Sequence, residues 1–82
     1  MRVELTKKAA RQLDRVNEPL KSRIIKALRR LEEEPPQGDI KKLEGRDGYR
    51  ARLGGYRILF DTENDTVSVY KIAPRGEAYK EN

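Results

Sequence analysis

Histidine, cysteine and tryptophan are all absent from this 82-residue sequence. Without cysteine there is no disulfide framework and no thiol nucleophile, and without histidine as well there is no ordinary zinc site. The imidazole that so often moves protons near neutral pH is missing too. The expectation is therefore a protein with no metal and no cofactor. No apolar run approaches the roughly 20 residues that cross a bilayer. The opening MRVELTKKAARQL lacks the apolar centre of a signal peptide. These absences predict a cytoplasmic protein with no membrane partner.

Charge is what the chain has in quantity. Charged residues make up 40% and the formal net charge is +5. Such a balance suits nucleic acid, an anionic surface or an acidic protein, and does not separate them. The length fits one small domain spanning residues 1–82, with a thin core that gains from a partner. Segments rich in Val, Ile, Leu and Tyr argue against general disorder.

The pattern along the chain predicts an α+β fold. RVEL at 2–5 alternates and reads as a short strand. Thr6 can cap a helix from about Lys7 to Val16, on which Ala9, Leu13 and Val16 share a face. Asn17 is a second capping candidate, and Pro19 suits a first helical turn. In EPLKSRIIKALRRLEEE, Leu20, Ile24, Leu28 and Leu31 form a stripe, widened by Ile25. Lys26, Arg29 and Arg30 lie on its polar side. PPQG at 35–38 stops this helix, and the tight joint between the two helices predicts a helical hairpin.

After residue 38 the period changes to two. Tyr49, Ala51 and Leu53 alternate with Arg50 and Arg52, and Gly54-Gly55 separates this strand from YRILFD. TENDT makes the next turn and VSVYKIA a further strand, ended by Pro74. Short connections predict an antiparallel meander with the helices on one face. Whether the first strand joins the sheet is open. RGEAYKEN reads as a tail or final turn.

Arg50 and Arg52 project from one sheet face, and Arg57 lies near them across the hairpin if the two glycines are its loop. Taken singly, each arginine reads as a solubilising surface residue whose stem covers apolar area. Together they repel, with Asp47 and Asp61 the nearest acids in sequence to offset them. Three guanidiniums on one face suit a multiply charged anion, with RNA phosphate the obvious candidate. Arg75 and Tyr79 follow the last strand and can reach that face.

These residues carry a resemblance. KLEG before the sheet, YRARLGGYRILF, and the closing IAPRGEAY, with Arg75 and Tyr79 four apart, resemble the RelE/ParE toxin superfamily over essentially the full chain. The likeness is greatest to RelE-type mRNA interferases. The resemblance implies a RelE-like fold, with an N-terminal strand and helical hairpin packed on a small antiparallel sheet. It implies an endoribonuclease that cuts messenger RNA in the ribosomal A site and is silenced by a cognate antitoxin, an assembly that can extend to a heterotetramer. Arg50 and Arg52 match positions where a family member uses two lysines in catalysis. Arg57 matches the sheet arginine that stabilises the reacting phosphate. Arg75 and Tyr79 match the C-terminal arginine and tyrosine, the latter implicated in handling the attacking sugar hydroxyl and in stacking. Lys42, Arg46, Lys26, Arg29 and Arg30 are the candidates for contacts to RNA, ribosome or antitoxin.

The implied reaction is metal-independent attack of the ribose 2′-OH on the adjacent phosphorus. Arginine neutralises phosphoryl oxygens well but serves poorly as a base, since its pKa lies above about 12. Arginine at both lysine positions thus removes the usual titratable ammonium. Tyr79 could act as a base only with a lowered pKa. Lys71 is expected to alternate away from the arginines or to be a plain surface charge. Glu44 and Glu77 are weaker acid–base candidates, and Tyr49, Tyr56 and Tyr70 read as core or rim packing. A ParE-like inhibitor of DNA gyrase and a catalytically weak RNA- or antitoxin-binding member remain as alternatives.

Overall fold

Residues 1–80 are described by a computed structural model. Strand β1 spans Arg2–Leu5 and helix α1 spans Lys7–Asp14. Thr6 caps α1 as its sequence predicts: its Oγ1 accepts the Ala9 N–H at 3.1 Å. Helix α2 spans Leu20–Arg30. Its side-chain cap is not Asn17. The Glu18 carboxylate accepts from the Ser22 N–H at 3.0 Å and from its Oγ at 2.7 Å. Those two bonds hold the Glu18 carboxyl below its ordinary pKa. The helix closes before the acidic triplet 32–34, where negative charge opposes the helix dipole and Pro35 forbids a helical predecessor.

The sheet has five strands in the order β1-β5-β4-β3-β2, one more than the period-two pattern predicts. The additional strand is β2, Ile40–Lys42, too short to show alternation. Strands β3 (Tyr49–Leu53) and β4 (Tyr56–Glu63) form the expected hairpin, with Leu53 opposite Tyr56 and Gly54-Gly55 as its two-residue loop. Asn64 and Asp65, both with positive φ, turn β4 into β5 (Thr66–Pro74). The N-terminal strand does join the sheet. It runs parallel to β5, with Val3 opposite Val67, so the sheet is mixed.

One sheet face supplies Ala51, Ile58, Phe60, Val67, Val69 and Ile72 to the core, and the helices close it with Ala9, Val16, Ile24, Leu28 and Leu31. Tyr49 stacks on Phe60 with ring centroids 5.6 Å apart, which bears out its packing role. The other face is not bare. A four-residue helix α3, Arg75–Ala78, returns over β4 and β5 and buries Ala78, while Leu59 and Ala73 are buried on that side of the sheet. RGEAYKEN is therefore a final helical turn through Lys80; Glu81 and Asn82 lie outside the described residues. Among the described residues no helix is long and apolar enough to cross a membrane.

Candidate active site on an arginine face

Register decides which side chains meet. Arg52 lies directly opposite Arg57, and Arg50 opposite Leu59, so all three arginines share the face away from the helical layer. Lys41, opposite Arg50, joins them. Arg57 is buried, with 7% of its surface exposed, and its Nη1 donates to the carbonyls of Gly54 and Tyr56, both at 2.9 Å. Its side chain thus braces the hairpin turn whose strands it bridges. Among the described residues Nε and Nη2 have no protein acceptor, so the edge of the fork they form remains for an anion.

The same turn anchors the C-terminal segment. The Arg75 N–H donates to the Gly55 carbonyl at 2.8 Å, placing the start of α3 beside the loop that holds Arg57. Arg75 and Tyr79 are exposed on this segment, Tyr79 at its C-terminal cap. The register brings arginines 50, 52 and 57 to one face, and the bond to Gly55 sets the start of the segment that carries Arg75 and Tyr79 beside their hairpin.

Comparison with known proteins gives the family. Residues 3–79 match the family model of the ParE toxin of a type II toxin–antitoxin system, parDE. The chain belongs to the RelE/ParE toxin superfamily. A chain of the archaeal RelE–RelB complex from Pyrococcus horikoshii is 33% identical, with a TM-score of 0.77 over 94% of this chain and 97% of that one. The RelB–RelE complex of Methanococcus jannaschii gives 26% identity and a TM-score of 0.71, covering 88% and 89%. The isolated E. coli RelE toxin shares the fold at 20% identity and a TM-score of 0.76, covering 99% of this chain and 87% of that one. No match is found among curated protein sequences.

Two expectations about this face of the toxin-family chain are corrected, the acid beside the arginines and the side taken by Lys71. The acid that offsets the arginines is neither Asp47 nor Asp61 but Asp39. Its Oδ2 accepts from Arg52 Nε at 2.6 Å, and its Oδ1 lies 3.4 Å from Arg50 Nη1. Its backbone carbonyl accepts from Arg50 Nη1 at 3.1 Å and from the Arg52 N–H at 2.9 Å. The hydrogen bond from Arg52, then the charges of both arginines, hold the Asp39 carboxyl below its ordinary pKa. The missing signal was β2: once Ile40 is set opposite Ala51, Asp39 falls opposite Arg52.

Lys42 pairs with Tyr49 and so lies across the strand from the arginines, where it borders a cavity with Asp47, Asp61 and Glu63. Arg46 reaches Tyr70, its Nη2 donating to the phenol oxygen at 3.4 Å. Lys26, Arg29 and Arg30 are exposed on α2, in the layer on the other side of the sheet, and are not brought to the arginine face. Lys71 does not alternate away. The ladder shifts between Leu59 and Phe60, pairing Leu59 with Lys71 and Phe60 with Val69; Tyr70 is left over, and Lys71 comes to the arginine face. It is buried, and desolvation, reinforced by Lys8 and Arg46, lowers its pKa. Glu44 and Glu77 are both exposed, the latter 3.6 Å from Lys80 Nζ.

Proposed function

We propose that this chain is an endoribonuclease toxin that cleaves messenger RNA bound in the ribosomal A site and is neutralised by an antitoxin. The observation that carries the reading is Arg57, buried opposite Arg52 with the Nε–Nη2 edge of its guanidinium unpaired among the described residues. A fixed fork at the base of a cationic face suits a phosphate whose charge grows during reaction.

The chemistry follows from what each group can do, without a bound metal. The 2′-oxygen forms a bond to phosphorus as its proton leaves, the P–O5′ bond breaks, and the 5′-oxygen takes a proton, giving a 2′,3′-cyclic phosphate and a 5′-OH. Arg57 neutralises the equatorial oxygens, assisted by Arg50 and Arg52 once phosphate replaces Asp39 between them. Arg75 approaches from the segment anchored on Gly55. Tyr79 is partly exposed, which supports a role for it in stacking on a base or meeting the sugar hydroxyl. Arginine is a poor base, so alignment of the message by the ribosome carries much of the rate. An antitoxin partner is supported by the similar RelE chains having been solved with RelB. Acidic residues of such a partner would cover the arginine face.

Induced expression of wild type beside Arg57→Ala, with message ends mapped on translating ribosomes, tests the reading. Cleavage at A-site codons by wild type alone is expected; intact codons at toxin levels that occupy the ribosome overturn it. A second reading, gyrase inhibition, is favoured by the matching family model being that of ParE. Blocked supercoiling by purified protein without RNA cleavage would establish that reading instead.

A further inference from the structure

Arg57 is not the only buried cation on the arginine face. Lys71 is 6% exposed and lies opposite Leu59, which is itself opposite Arg50. An ammonium in such a place is costly, and an apolar side chain of similar volume would be at least as stable. Burial lowers its pKa; Lys8 and Arg46 act in the same direction and Glu77 opposes them. The described residues give Nζ one acceptor, the backbone carbonyl of Lys80, at 2.5 Å. That carbonyl directly follows Tyr79.

The segment from Arg75 to Lys80 is thus fastened at three points. Its start is tied by the Arg75 N–H to Gly55, its middle is packed down through Ala78, and its end is held by Lys71. Tyr79 itself is 45% exposed and its hydroxyl has no partner among the described residues, so packing does not fix it. The tie one residue later does.

We propose that Lys71 is a positioning residue: it holds the Lys80 carbonyl and so fixes where Tyr79 is presented on the arginine face. The catalytic half of this proposal rests on the RNA-cleaving reading above; the structural half does not. A buried lysine that merely filled space could be replaced by Met without consequence. One that positions Tyr79 could not.

The test uses the full chain as wild type, Lys71→Met, Tyr79→Ala and the double variant. Amide hydrogen exchange is followed at residues 75–80 and in β4 and β5, and single-turnover cleavage is measured on programmed ribosomes. Lys71→Met is expected to speed exchange at Tyr79 and Lys80 while the β4 and β5 core amides stay protected. It is expected to slow cleavage about tenfold or more, the scale of one lost hydrogen bond from a charged group. Ribosome binding should not change. The double variant should cleave no more slowly than Tyr79→Ala, because Lys71 acts through that one side chain. Unchanged exchange at 79–80, a wild-type rate for Tyr79→Ala, or losses that multiply in the double variant each overturn the proposal. If wild type cleaves no message, the functional reading fails separately and exchange alone decides the tie. Should Lys71→Met not fold, Lys71→Leu, which likewise lacks a donor, takes its place with the same outcomes.

Discussion

Asp39 occupies the position that a phosphate would take between Arg50 and Arg52, so removing its charge is an informative perturbation. Asp39→Asn keeps the side-chain volume and leaves the backbone carbonyl that accepts from both arginines. What it removes is the negative charge 2.6 Å from Arg52 Nε and 3.4 Å from Arg50 Nη1. The carboxylate is half exposed, so its ion pairs are screened and the fold should be little affected. RNA binding should respond more. Each phosphate newly neutralised on a single strand steepens the slope of log K against log salt by about 0.7. One extra contact then adds about a 2.6-fold further loss of affinity between about 50 and about 200 mM salt, and two add about 7-fold. Anisotropy of a labelled single-stranded oligoribonucleotide, titrated with each protein across that range, reads this directly. Tighter binding at low salt with a steeper slope is expected. An unchanged slope, or weaker binding at low salt, would mean that Asp39 does not compete with phosphate for these guanidiniums.

Arg57→Lys keeps a charge but cannot serve both turn carbonyls and an anion, so turnover should fall by roughly 100-fold or more, the scale of one lost transition-state donor; a single-turnover rate within about twofold of wild type refutes this. Gly48 has φ +111°, and a Cβ there would lie 2.8 Å from Asp61 Oδ1 and 3.2 Å from the Phe60 carbonyl. Gly48→Ala should therefore cost about 1–3 kcal/mol and lower the thermal midpoint by roughly 5–20 °C, and an unchanged melting curve counts against it. Asp39 and Lys71 should leave opposite marks on stability against pH. The folded pKa of Asp39 is lowered, so its contribution is present above the ordinary carboxylate range and is lost as pH falls through the lowered value. For Lys71 the lowered pKa makes charging costly at neutral pH, a cost relieved as pH rises through it toward the ordinary lysine value. Arg15, Lys8, Arg46 and Glu77 are the charged groups around it. Lys71→Met should be at least as stable as wild type near pH 7, with the difference closing toward about pH 10; a widening difference contradicts the assignment.

Much of this molecule is legible in its residues because its signals are local. Thr6 three residues before Ala9 marks a cap, the stripe Leu20–Ile24–Leu28–Leu31 marks a helix, and Gly54-Gly55 between alternating runs marks a hairpin. The arginine face follows from period-two alternation plus a two-residue loop. What escapes is set by pairings that no local pattern encodes. Strand β2 has three residues, so its alternation cannot be seen, and Asp39 is lost with it. The shift in the β4–β5 ladder reverses the face expected for Lys71, and counting along the strand cannot detect an unpaired residue. The parallel partner of β1 lies at the far end of the chain, beyond any short-range rule.

That last pairing also sets an order of assembly. Val3 meets Val67, a separation of 64 residues (67 minus 3), and β5 lies between β1 and β4 in the sheet. During synthesis the first strand therefore waits, its edge unpaired, until nearly all of the chain has left the ribosome. The elements that arrive last, β5 and α3, also carry Lys71, Arg75 and Tyr79. The arginine hairpin of β3 and β4 precedes them in the chain, so the face assigned here to cleavage is completed only when β5 and the segment after it pack against that hairpin.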